Sequence, residues 1–261
     1  IYEVNLEQPS ALFQAAAQKT LGYLCSTLYD PEVGAFLSFQ EADTGYYFLN
    51  KEGRSQKKSP LVIQRIFTDR LARTLLNLIE VLDHNRHFSL ENKILSSLNF
   101  VSEMVLEEKK VFHHFSLNHG QWQSNGGLSD YALLSILFTR AYNRFKKDRY
   151  LESAKKLIRD SIIRFYDEEK KIFIESDFDP EVNLEFVMEM NGWLALALLE
   201  NKLVRVSEED TLVKMLITYF SGTKELLEDR LWDSKDWKFS EHYVPYLIAS
   251  ERVVNGSALN R

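Results

Sequence analysis

An all-α fold, an α/α toroid built from helical hairpins, is predicted by three features of this 261-residue chain. Glycine and proline are scarce, at 10 and 5 residues, so helix interiors are seldom interrupted. Helical segments alternate between apolar on one side and apolar nearly all round. A short punctuation recurs four times between them: YDPEVGAFLSF (29–39), LEEKKVFHHFS (106–116), YDEEKKIFIES (166–176) and WDSKDWKFSEH (232–242). Each has an acidic residue near its start, a polar turn, and an aromatic residue in a strand-like run. The starts lie 77, 60 and 66 residues apart, the self-similarity that marks repeat architectures.

Segment 10–28 is amphipathic, with Phe13, Ala16, Ala17, Leu21, Leu24 and Leu28 on one face. Segment 64–82 carries Ile66, Phe67, Leu71, Leu75, Leu76, Leu78, Ile79, Val81 and Leu82 round most of its circumference, so it must be covered on most sides. Segment 89–105 is one-sided, through Leu90, Ile94, Leu98, Val101 and Val105. Segment 127–146 is apolar all round, 149–165 one-sided and 183–201 all round again. Segment 208–231 is one-sided behind a capping Ser207, and 241–254 is apolar once more. The order is outer, inner, repeated to eight helices. Connections from inner to outer helices are short (84–88, 145–149). Those from outer to inner are long and hold the repeated turn, which predicts short β-hairpins at one end of a partial ring. The stretch 40–60 reads as an extended loop ending at Pro60. No domain boundary is visible, so 1–261 is read as one toroid domain.

Composition narrows the function. The net charge is −6 and the pI about 5.6, without the basic stripe a nucleic-acid binder needs. No run of 18 apolar residues exists to span a membrane, and a cytoplasmic location is expected. Cys25 is the sole cysteine, so no internal disulfide or CxxC pair can form. The glycine patterns of phosphate loops and the G-x-S-x-G elbow are missing. No cofactor is expected.

Four stretches together resemble a known family: FQEADTGYYFLNKEGRSQKKSPLV (39–62), GGLSDYALLSILFTRAY (126–142), RYLESAKKLIRDSIIRFYDEEKKIF (149–173) and the Asn-Gly-Trp of MEMNGWLAL (188–196). They resemble the thioredoxin-domain-containing proteins, the spermatogenesis-associated protein among them. Those have an N-terminal thioredoxin-like domain and a C-terminal toroid of the six-hairpin-glycosidase type. The resemblance implies that this chain, which begins at Ile1, is the C-terminal part of such a protein. It implies eight helices where a closed ring has twelve. The open edge is then expected to be covered by the thioredoxin-like domain or by self-association. The family's Gly-Gly-Phe after the turn is replaced by Val33-Gly34-Ala35-Phe36 and by Lys170-Lys171-Ile172-Phe173.

In an inner–outer ring the long loops and the N-termini of the inner helices share one mouth. Polar residues expected there are Glu41, Asp43, Tyr46, Tyr47, Thr68, Asp69, His113, His114, Trp122, Asp130, Tyr131, Glu185, Glu189, Asn191, Glu241 and His242. Carboxylates facing across a pocket can act as acid and base on a glycosidic bond, and aromatics stack on sugar rings. Asp43, Asp130 and Glu189 are the candidate catalytic residues. Tyr46, Tyr47, His114, Trp122, Tyr131 and Asn191 are the candidate saccharide contacts. Each carboxylate also has a structural reading: Asp130 as a helix cap, Asp43 in an Asx turn, Glu189 in a buried pair. Adjacent histidines on a strand point to opposite faces, so His113 and His114 are not expected to share a metal. The fragment is expected to bind sugars at most weakly and not to turn them over. The alternative is a non-catalytic module that docks the thioredoxin-like domain or another partner.

Overall fold

Two of the four repeated turns fold to the same local solution. In the computed structural model, which describes residues 11–84, 88–108, 110–170, 172–175 and 184–200, Asp30 Oδ1 accepts the backbone N–H groups of Glu32 and Val33 at 2.9 and 3.1 Å. Asp167 Oδ1 does the same for Glu169 and Lys170, both at 2.9 Å. Each carboxylate thereby shapes a tight turn from within. Strand β1 (Tyr29–Asp30) pairs antiparallel with β2 (Ala35–Phe36), and β6 (Tyr166–Asp167) with β7 (Ile172–Phe173). Tyr29 meets Phe36 at 5.1 Å between ring centroids and Tyr166 meets Phe173 at 5.3 Å. The Tyr-Asp-x4-x-Phe spacing is therefore a hairpin with its own ring pair. The second repeat differs. Its Phe112 opens a longer strand, β4 (Phe112–Ser116), whose hairpin partner is β5 (Gln121–Asn125). The fourth repeat lies outside the described residues.

The chain forms two compact units, Ile1–Val101 with His113–Ser124, and Ser102–Phe112 with Asn125–Arg261. In the first, α1 (Ala11–Tyr23) runs into a wider π turn at Leu24–Leu28. Among the described side chains of its predicted apolar face, Ala16, Ala17, Leu21 and Leu24 are half covered and Leu28 is buried. The stretch 40–60 is not simply an extended loop. It holds two short helices, α2 (Thr44–Tyr47) and α3 (Lys51–Ser55), capped by Asp43 and Asn50, whose side chains accept from Tyr46 N–H and Gly53 N–H. Segment 64–82 also departs from expectation. Arg65–Phe67 is strand β3, paired with Ser116, Phe115 and His114 of β4, and helix α4 runs from Thr68 to His84. A short apolar run reads equally as strand or helix when its partner is unknown. Helix α4 buries Leu71, Ala72, Leu75, Leu76, Leu78, Ile79 and Leu82 but leaves Asn77 and Glu80 exposed, so its cover is less complete than predicted. Helix α5 (Phe88–Glu107) presents one stripe, and in this unit Ser97 Oγ donates to Gly34 O at 3.3 Å. Gly34 has φ +75°, and a Cβ there would collide with Ser96 Oγ. The glycine is demanded by both backbone and space.

In the second unit the inner–outer contrast is clear. Helix α6 (Leu128–Phe145) buries every residue from Asp130 to Thr139. Helix α7 (Asp148–Phe165) buries one stripe: Tyr150, Ser153, Ala154, Leu157, Ile158 and Ser161. Its other side carries exposed Arg159 and half-buried Lys155. Helix α8 (Leu184–Glu200) is buried from Val187 to Leu198 except at Trp193, which is only half-buried and so less central than an all-round helix implies. Arg140 grips Glu200 with a fork of bonds, Nε to Oε2 at 3.1 Å and Nη2 to Oε1 at 3.0 Å, locking α6 to α8. Ser102 of α5 and Ser153 of α7 share a buried hydroxyl pair at 3.1 Å. The predicted helices 208–231 and 241–254 lie outside the described residues.

Candidate functional site

In the first unit residues 38–41 run antiparallel to 61–65 and extend the β3–β4–β5 sheet. The bonds are Glu41 N–H to Leu61 O at 2.8 Å, Ile63 N–H to Phe39 O at 3.1 Å and Phe67 N–H to Ser38 Oγ at 2.7 Å. Strand alternation sends Phe39 and Gln40 to opposite sides. On one side Phe39 and Phe67 stack at 5.8 Å, and Phe67 continues to His114 at 5.4 Å. His114 Nε2 lies 3.2 Å from Gln123 Oε1 on β5, while its Nδ1 is buried without a partner. Arg70, at the start of α4, sets its guanidinium 6.0 Å from the Phe39 centroid. His113 reaches the edge of the same Phe67 ring at 5.4 Å, so the two histidines flank one aromatic although their strand positions alternate.

Trp122 lies elsewhere. It packs on Phe100 of α5 at 5.0 Å and on Phe115 at 5.2 Å, and Phe115 alternates with His114 along β4. Tyr46 and Tyr47 sit on α2 as an edge-to-face pair at 5.5 Å, with Arg54 over Tyr46. The Tyr47 and Tyr23 hydroxyls both donate to Gln40 Oε1, at 3.3 and 3.0 Å, and Gln40 Nε2 donates to Pro60 O at 2.6 Å. Asp43 caps α2 and pairs with Lys57 at 3.1 Å. The Lys57 ammonium, then the Tyr46 N–H, hold its carboxyl below the usual range. Thr68 is buried and Asp69 Oδ1 accepts from Arg70 N–H at 2.8 Å.

In the second unit Asp130 and Tyr131 lie in the first turn of α6. Asp130 is fully buried, and its Oδ2 accepts Gly127 N–H at 3.0 Å, the return half of a capping box. Glu175, not singled out from the sequence, accepts the next amide, that of Leu128. A Cβ on Gly127 would lie 2.5 Å from Glu175 Oε1, so the second glycine of GGL makes room for a carboxylate at the helix N-terminus. The signal for Glu175 was its place just past the repeated Phe173. Tyr131 is buried against Phe165 at 5.3 Å with Arg164 over its ring, and its buried hydroxyl, without a hydrogen bond of good geometry, has the Val111 backbone beside it. Burial pushes that hydroxyl's pKa up, against the pull of Arg164.

Asn191 points into the protein. Its Oδ1 accepts Phe173 N–H at 2.8 Å, and its Nδ2 donates to Phe173 O at 2.8 Å and Val187 O at 2.7 Å. Glu189 is 3% exposed, and its Oε1 accepts the Trp193 indole N–H at 3.3 Å. The three candidate catalytic carboxylates are divided between units, Asp43 in the first and Asp130 and Glu189 in the second. Each has at least one structural bond. The Glu185 side chain, Glu241 and His242 lie outside the described residues. Among the described residues no group of three or more His, Cys, Asp or Glu could hold a metal ion, and no helix is long and apolar enough to cross a membrane.

This arrangement of helices has solved counterparts. Cellobiose 2-epimerase from Bacillus thermoamylovorans B4167 matches with TM-score 0.62 and 13% identity, over 97% of this chain and 71% of that one. Cellobiose 2-epimerase from Spirochaeta thermophila DSM 6192 matches with TM-score 0.56 and 11% identity, over 85% of this chain and 57% of that one. The fold is an α/α toroid. The chain spans a little over half the length of the second epimerase. No protein-family model and no curated protein matches it. At these identities the likeness speaks for the fold and leaves the chemistry to be argued from the residues.

Proposed function

We propose that this chain is a carbohydrate-binding toroid that does not itself turn sugar over. The observation that carries the reading is the fold shared with two cellobiose 2-epimerases across most of the chain. The engagement of the carboxylates supports binding over catalysis. Asp43 is a cap and ion-pair partner, Asp130 closes a helix start, and Glu189 holds an indole. Calorimetric titration with a panel of mono- and disaccharides that includes cellobiose, with product analysis of the same mixtures, tests it. Heat of binding without new products is expected. Turnover abolished by Glu189→Gln or Asp130→Asn would overturn the non-catalytic part.

A second reading rests on a different observation. Around the 39–61 excursion Tyr23, Phe39, Tyr47, Phe48 and Leu61 are exposed, Phe48 to 90%. Exposed aromatic groups in one stretch suit a protein contact. On this reading the chain is the C-terminal scaffold of a thioredoxin-domain-containing protein, in the cytoplasm, and the excursion meets that domain. Co-expression with a thioredoxin-like domain and size-exclusion chromatography tests it. Separate elution of the two would refute it.

A further inference from the structure

We propose that the tip of the 39–61 excursion docks an acidic peptide segment that carries an aromatic side chain. The inference rests on the protein-contact reading above and names the chemistry of the partner's face. The tip has a fixed shape. Its two ends are tied by Glu41 N–H to Leu61 O at 2.8 Å and by the bridge between Gln40 and Val62. Between them Asp43 and Asn50 cap α2 and α3. Arg54 Nη2 donates to Tyr47 O at 2.6 Å and sets its guanidinium 5.7 Å from the Tyr46 centroid, so α3 is fastened back onto α2. A surface already held in one shape loses little entropy when a partner settles on it.

Charge indicates what kind of partner fits. The chain as a whole carries −6. From Thr44 to Arg65 the sign reverses, with Lys51, Arg54, Lys57, Lys58 and Arg65 against one carboxylate, Glu52. All five cations are exposed. Asp43 offsets Lys57 at 3.1 Å, and Glu41 lies at the tied base. A neutral partner would strip the other cations of water and give nothing back, whereas carboxylates across the contact match them and steer the encounter. The apolar element sits among these charges. Phe48 ends α2 at the corner before α3 and is 90% exposed, and Lys51 follows three residues later. An exposed aromatic ring with arginine and tyrosine close in sequence has the composition of an interface anchor, and a second aromatic ring covers it well. A lipid surface fits less well, because Asn50, Glu52 and Gln56 are exposed between Phe48 and Leu61 and interrupt the apolar surface.

Fluorescence anisotropy with a labelled synthetic peptide, Asp and Glu residues around a central Phe, tests the proposal on the 261-residue chain. The same peptide with Asn and Gln in place of the acids is the control. The acidic peptide is expected to bind about tenfold or more tightly than the control. Its affinity should fall from low to high salt, as the screening length shortens from about 30 Å to about 3 Å. Phe48→Ala, at an exposed position, is expected to weaken binding about tenfold, the ratio that about 1.4 kcal/mol supplies, with the circular dichroism spectrum unchanged. Lys51→Glu combined with Lys58→Glu should weaken it further and flatten the salt dependence. Equal binding of the two peptides, or binding of neither, would overturn the acidic partner; co-elution with a thioredoxin-like domain would then leave the protein-contact reading standing. Attachment to phosphatidylserine vesicles without binding of the peptide would overturn it in favour of a lipid surface. Separate elution of the domain together with no peptide binding would overturn both.

Discussion

Asn191→Ala separates an internal clamp from a ligand contact. The Asn191 side chain makes three buried hydrogen bonds, two to the Phe173 backbone and one to Val187 O. The Val187 carbonyl is also in reach of the helix's own ladder, so it keeps a partner when the side chain is removed. The Phe173 N–H and C=O do not. Both lie under Ile172, Ile174 and Val187, which are buried together. A buried backbone group left without a partner costs roughly 1–3 kcal/mol, so the substitution should destabilise by about 2–5 kcal/mol. Asn191→Asp keeps the acceptor but sets a carboxylate oxygen against Phe173 O, and should cost at least as much. Urea titration followed by far-ultraviolet circular dichroism reads both. Cellobiose affinity, measured where both proteins are folded, should not change. A stability loss under about 0.5 kcal/mol together with lost sugar binding would refute the clamp and restore Asn191 as a ligand contact.

Phe138→Ala should cost about 3–5 kcal/mol, as fully buried aromatic deletions do, and Trp193→Ala distinctly less; thermal melts that reverse this order would show Trp193 to be the more central. Tyr131→Phe should change stability by no more than about 1 kcal/mol, because the buried hydroxyl makes no hydrogen bond of good geometry and has only the Val111 backbone beside it; a clear loss would show that contact to be a full hydrogen bond. Gly127→Ala should lower the melting temperature by pushing Glu175 from the α6 terminus, and Glu175→Gln should be milder. Asp167 is held below the ordinary carboxylate range, first by the Lys170 backbone N–H. Its stabilisation is therefore present at neutral pH and lost as pH falls through the folded value, since the unfolded chain binds that proton first. Asp167→Asn should flatten the acid limb of melting temperature against pH; an unaltered limb would contradict the pairing.

The helical pattern was legible because burial writes itself into periodicity. The unbroken burial from Asp130 to Thr139 and the single stripe of Tyr150, Ala154, Leu157 and Ile158 both follow from residue spacing alone. Ile66 and Phe67 were misread as helix because two apolar residues carry no period, and their pairing with Phe115 and His114 spans about fifty residues of chain. The helices at 44–47 and 51–55 are too short to show a face; only their caps, Asp43 and Asn50, hinted at them. The polar candidates were findable by type, but direction depends on tertiary neighbours. Asn191 was a candidate saccharide contact and its side chain bonds within the protein, while Glu175, not singled out, accepts an amide at a helix N-terminus.

The paired turns at Tyr29–Phe36 and Tyr166–Phe173 bear on how the chain finds its fold. Each closes within eight residues, holds its corner with a carboxylate and seals it with a ring pair. Loops so short lose little entropy on closing, so both reversals can form early, before distant helices have met. The direction in which each outer helix hands the chain on is then decided locally. Exchanging Asp30–Ala35 for Asp167–Ile172 should leave the folding rate nearly intact, whereas scrambling either would leave its helices to search for one another unguided.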